Sequence, residues 1–156
     1  MQITGDYQLA ASPEDIWHAI HDDAVLQQCI PGCKSIERLS DDQLRAIVTT
    51  KVGPVSATLK GLITFSEQNP PESLYLIGSG DGGIVGFAKG GARVALKAVP
   101  DGTQLNYEID VAVGGKLAQL GQRLLAGTAK KNSDIFFNNL VAYFNEKGAT
   151  TEATSA

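Results

Sequence analysis

The chain has 156 residues, 43% of them hydrophobic and 19% charged, with a formal net charge of −4. That length predicts one domain and that composition excludes a disordered chain. The acidic balance argues against a protein that coats nucleic-acid phosphates, and no apolar run approaches the length of a membrane span.

No signal peptide is visible at the N-terminus, and two cysteines make no disulfide scaffold, so a reducing cytoplasm is the expected compartment. Residues 2–10 read as a first strand. Ser12-Pro13-Glu14-Asp15 then opens a helix: Ser12 can accept an orphan backbone N–H, Pro13 suits the first helical position, and two acids face the positive end of the dipole. A second short helix, Ala24 to Cys29, stops at Pro31-Gly32.

From Cys33 to Val113 the hydrophobic period is two. Leu44, Ala46, Val48, Thr50 and Val52 share one face. So do Ala57, Leu59, Gly61, Ile63 and Phe65, then Ala88, Gly90, Ala92 and Val94, then Leu105, Tyr107, Ile109 and Val111. Charged residues occupy the opposite parity. Tight turns at Gly53-Pro54, Asn69-Pro70-Pro71 and Asp101-Gly102 separate these segments. The pattern predicts an antiparallel sheet with one face wet.

Past Gly114-Gly115 the period becomes helical. The spacing predicts one long helix from Lys116 to Lys147, ended by Gly148, with residues 149–156 as a disordered polar tail. The ligand-binding domain is thus 1–148. A sheet with one apolar face needs a cover, and this helix supplies it. Small residues on both facing surfaces leave space between them, and that space predicts a ligand cavity.

Gly78-Ser79-Gly80-Asp81-Gly82-Gly83 spells a dinucleotide-binding pattern, but a strand follows where a helix must begin, so that reading is rejected. The whole glycine-rich run, Gly78 to Gly91, reads either as a mobile hairpin or as a flap with Phe87 at its tip. His18, His21, Asp22 and Asp23 read as a polar helix end, and no metal site is expected. Cys29 and Cys33 read as two reduced thiols beside the cavity, with a disulfide across the Pro-Gly turn left open. No nucleophile–base pair and no Gly-x-Ser-x-Gly elbow occurs, so no catalytic residue is expected.

The architecture resembles the START-like helix-grip fold (α+β), a curved antiparallel sheet wrapped around a long C-terminal helix. Several stretches resemble, more closely, the family of the CoxG subunit of carbon monoxide dehydrogenase. They are Val25 to Cys33, Val52-Gly53-Pro54 with Lys60-Gly61, Gly80 through Gly90, Gly114 to Leu124, and Phe136-Phe137. The Cys-Ile-Pro-Gly-Cys and Gly-Gly-Lys-Leu-Ala-Gln-Leu-Gly segments are the most specific. The resemblance implies a non-catalytic accessory protein with no covalently bound cofactor. It further implies a quinone- or lipid-like apolar ligand and a link between a molybdenum-containing dehydrogenase and the inner face of the cytoplasmic membrane. The alternative is a polyketide cyclase-like or hydrolase-like enzyme using the same pocket.

The expected ligand-contacting residues are Leu59, Gly61, Phe87, Gly90, Tyr107, Ile109, Leu120, Leu124 and Phe137. Lys116, Arg123 and Lys130, seven residues apart, are expected along one side of the long helix, with Lys131 beside them. No acid occurs between Asp110 and Asp134. These cations are the expected contact for an anionic membrane or a partner protein.

Overall fold

The computed structural model describes residues 1–155, with side chains described as far as Lys147. The polar tail expected over 149–156 therefore lies outside the residues described in full. The elements are β1 (Gln2–Leu9), α1 (Pro13–Ile20), α2 (Asp23–Cys29), β2 (Cys33–Ser40), β3 (Gln43–Val52), β4 (Val55–Asn69), β5 (Ser73–Asp81), β6 (Phe87–Val99), β7 (Gly102–Gly114) and α3 (Gln122–Ser155). The seven strands form one curved antiparallel sheet in the order β1-β7-β6-β5-β4-β3-β2. Strands β2 to β7 follow one another as hairpins. Only β1 breaks the sequence, pairing with β7 from Gln2↔Asp110 to Leu9↔Thr103.

The two short helices form as their caps dictate. The Ser12 hydroxyl accepts from the Asp15 amide at 3.2 Å, and Asp22 Oδ1 accepts from the Ala24 and Val25 amides at 2.9 and 3.2 Å. Arg38 of β2 ties their junction to the sheet, bonding the Asp23 carboxylate and donating to the His21 carbonyl at 2.7 Å.

The apolar parity of each strand faces α3. Leu44, Leu74 and Leu105 from the sheet and Leu140 and Phe144 from the helix are buried in one core with Ile16, Trp17 and Leu26 of the short helices. A smaller cluster around Val52, Ala57, Leu117 and Leu125 closes the other end.

Two expectations are corrected. The long helix starts at Gln122, not Lys116. Residues Gly115–Leu120 form a separate 3-10 turn, and Gly121, at φ +96°, sets a backbone direction that helix geometry cannot continue. The glycine-rich run is not a single flap. Gly78 and Gly80 lie within β5 and pair with β4 and β6, while Gly90 and Gly91 lie within β6 and pair with β5 and β7. The loop itself is only 82–86, built on a 3-10 turn at Gly83–Val85 with Ile84 82% exposed at its tip.

Candidate ligand chamber and its mouth

Three hollows lie along the seam between the sheet and α3. The first is an apolar cavity of about 310 Å³, walled by Ile63, Phe65, Leu76, Ala92, Val94, Tyr107 and Ile109 from the sheet. Ile20, Leu26 and Ile30 close it from the short-helix side, and Asn132, Ser133, Phe136 and Phe137 from α3. The second, about 330 Å³, extends it along the glycine-rich strands. It shares Ile63, Leu76, Ala92 and Ile109 and adds Leu59, Gly78, Gly80, Gly90 and Val111. The third is a wide polar groove of about 910 Å³ between the β3–β4 turn and the start of α3. Pro31 and Asn132 line both the groove and the first cavity.

An aromatic stack forms one end of the apolar cavity. The Tyr107 ring lies on Phe137 with centroids 4.4 Å apart, and Tyr7 flanks Phe137 at 5.2 Å. Beside it, Tyr7 Oη donates to Asp134 Oδ1 at 2.8 Å and Lys130 Nζ donates to the same oxygen at 2.7 Å. Burial, followed by this bond to Asp134, pushes the Tyr7 phenol up to about 12. The Asp134 carboxyl is held below its usual value, first by Lys130 and then by Tyr7. Tyr107 is 2% exposed, and its hydroxyl is the one buried side-chain polar atom among the described residues with no hydrogen-bond partner. Burial raises its pKa as well.

Of the expected ligand contacts, the structure brings Tyr107, Ile109 and Phe137 together in the first cavity. Leu59 and Gly90 join Ile109 in the second. Leu120 and Leu124 lie instead in the polar groove, because the helix begins beyond the 3-10 turn. Gly61 has the inward parity but lines none of the three hollows. Phe87 has the outward parity. It is 45% exposed and its ring rests against Gly114, away from the cavity.

The expected basic stripe is also redrawn. Lys116 is on the 3-10 turn, so the seven-residue spacing does not align it with Arg123. Lys130 is taken up by Asp134, whereas Arg123 and Lys131 line the groove together with Lys51.

Ile63, Leu76 and Phe136 were legible from strand parity or helical spacing. Asn132, Pro31 and Lys51 were not, since nothing in a periodic pattern marks a residue at the junction of two hollows.

The remaining motifs are structural. His21 Nδ1 lies 2.7 Å from the Trp17 carbonyl and Nε2 lies 2.7 Å from Gln68 Oε1, and the ring stacks on Phe65 at 4.6 Å. No group of three potential metal ligands occurs among the described residues. Cys29 is buried and Cys33 half-buried; both thiols are free, and burial raises both pKa values. None of the described helices is long and apolar enough to cross a membrane.

Residues 5–145 match the family model of the carbon monoxide dehydrogenase G subunit, CoxG. The chain belongs to the CoxG family. Among solved structures, a conserved protein from Geobacillus kaustophilus is 31% identical with a TM-score of 0.86, over 94% of this chain and 96% of that one. A START superfamily protein from Mycobacterium smegmatis is 18% identical with a TM-score of 0.71, over 93% and 97% of the two chains. An aromatase/cyclase from Streptomyces sp. R1128 is 14% identical with a TM-score of 0.69, over 94% of each. At these lower identities the last two show a shared fold alone. No curated protein matches this chain. The CoxG chain thus has the START-like fold expected from its residues, and its family and fold mark it as a ligand-binding accessory protein.

Proposed function

We propose that this CoxG protein is a non-catalytic carrier of a quinone- or lipid-sized apolar molecule. In this reading it serves a molybdenum-containing carbon monoxide dehydrogenase-type oxidoreductase at the cytoplasmic membrane. The observation that carries the reading is the apolar chamber between the sheet and α3. Neither of its two parts is lined by a carboxylate, an imidazole or a thiol. A general acid–base reaction needs such a group within hydrogen-bond reach of its substrate. The polar side chains that α3 contributes are already engaged: Asn132 donates to Thr50 Oγ1 at 3.1 Å and Ser133 donates to the Ala129 carbonyl at 2.9 Å. What the chamber offers is apolar area and ring faces, the means of holding a neutral hydrophobic molecule.

The test uses Gly78. A Cβ at that inward position would meet no atom within 4 Å, so Gly78→Leu fills the chamber without disturbing the sheet. A short-chain naphthoquinone titrated into the wild-type protein by calorimetry should bind, and the Gly78→Leu protein should lose at least tenfold in affinity. Equal binding by the two proteins would remove the chamber as the site. Co-purification with the dehydrogenase would then test the partner separately.

A further inference from the structure

The polar groove that adjoins the apolar chamber has a charge pattern of its own. Lys51 enters it from the end of β3, and Arg123 and Lys131 enter it from α3. No Asp or Glu lines it. Among the described residues none of these three cations forms an ion pair, although Lys130 and the other arginines do. Three uncompensated cations around one concavity, in a chain whose net charge is −4, make a local positive potential that a bound anion would offset.

The groove is also continuous with the chamber at the level of its lining. Pro31 and Asn132 belong to both, and the Asn132–Thr50 hydrogen bond spans their boundary from α3 to β3. A single molecule lying across that boundary would place one end among cations and the other among Ile63, Leu76 and Phe137.

We infer that the ligand is an anionic amphiphile, its carboxylate or phosphate held in the groove by Arg123, Lys131 and Lys51 and its apolar chain in the chamber. This rests on the proposed reading of the chamber and narrows it. A guanidinium accepts either headgroup through paired N–H donors, and a lysine ammonium adds a point charge. A hydrogen bond to a charged group contributes more than a neutral one, so the acid form of a chain should outbind its alcohol.

The experiment compares dodecanol, dodecanoate and dodecyl phosphate at premicellar concentrations by calorimetry, on the wild type, the Arg123→Gln/Lys131→Gln double variant and Gly78→Leu. Arg123 and Lys131 are exposed, so the double variant should keep the wild-type melting temperature. Both anions are expected to bind the wild type roughly tenfold more tightly than dodecanol, with an advantage that shrinks as salt rises. The double variant should lose that advantage and bind dodecanol unchanged. Preference for dodecanoate would mark a fatty acid as the source of the headgroup, and preference for dodecyl phosphate a phospholipid. Equal binding of all three by the wild type overturns the inference and leaves the chamber reading intact. An anion advantage that survives in the double variant also overturns it. Dodecanol binding that ignores Gly78→Leu overturns the chamber reading, and this inference with it.

Discussion

Tyr107 lies across the backbone of Gly5: a Cβ at position 5 would sit 2.6 Å from the phenolic oxygen and 2.7 Å from the ring carbon that bears it. The two residues are register partners in the β1–β7 ladder. The missing side chain on β1 is what lets the Tyr107 ring lie flat against the sheet and stack on Phe137. Gly5→Ala should push that ring toward the cavity. The expected loss of stability is about 1–2 kcal/mol, in the range for overpacking, with weaker uptake of an apolar probe. A melt of the variant near the wild-type temperature would show that the ring has room to move.

Removing the Tyr107 hydroxyl should have the opposite sign. It is buried and unpartnered, so Tyr107→Phe discards a desolvated group and breaks no bond. Stability should rise by about 1 kcal/mol. The same variant reports on the ligand, because a drop in affinity beside a raised melting temperature would mean that the hydroxyl bonds the bound molecule.

Tyr7 links stability to alkaline pH. Its folded pKa, about 12, lies above the ordinary phenol value of 10.0. The folded state therefore holds its proton more tightly than the unfolded chain. The resulting stabilisation is complete below pH 10 and is lost as pH rises toward 12. Asp134 works at the other end. Its lowered pKa gives a contribution present above the usual carboxylate value and lost as pH falls below it. Melting temperatures should fall more steeply above about pH 10 in the wild type than in Tyr7→Phe. Parallel curves would mean that the Tyr7–Asp134 bond carries no such linkage.

Two glycines of the same parity should behave oppositely. A Cβ at Gly90 would lie 2.0 Å from the Asp110 carbonyl oxygen, in the backbone of the neighbouring strand, while one at Gly78 meets open space. Gly90→Ala should cost about 3 kcal/mol, the upper end for overpacking, and Gly78→Ala should be close to neutral. Denaturant unfolding of the pair decides it. Bulk at Gly90 is therefore a poor probe of the cavity, whatever its effect on binding.

Hydrogen exchange should be fast at 82–86 and slow at Gly78, Gly80, Gly90 and Gly91, whose strands are paired on both sides. Uniformly fast exchange from 78 to 91 would restore the larger flap.

The sheet, its apolar face and its helical cover were readable because alternation reports directly which side of a strand is buried. Tyr107, Ile109 and Phe137 were found that way. Alternation does not report how far along the strand the cover reaches. Gly61 and Gly90 therefore looked equivalent, although one lines no hollow and the other is pressed against a carbonyl. The spacing that aligned Lys116 with Arg123 and Lys130 failed at Gly121. A helical pattern in side chains continues across a residue whose backbone turns away, and the amino-acid letters carry no φ angle. Phe87 was misassigned for a simpler reason: position at the end of a loop was allowed to outweigh its odd parity in β6.

The pairing of β1 with β7 has a consequence for synthesis on the ribosome. Every other strand meets its neighbour within one hairpin, so β2 to β7 can zip together as they emerge. The first strand to appear must wait for the last, with about a hundred residues between Gln2 and Asp110. Until β7 arrives, Ile3 and Leu9 have no partner strand, and the edge they belong to is open to mispairing. Nascent chains stalled between β6 and β7 should thus be the species that chaperones capture, and a tethered copy of β7 supplied in trans should release them.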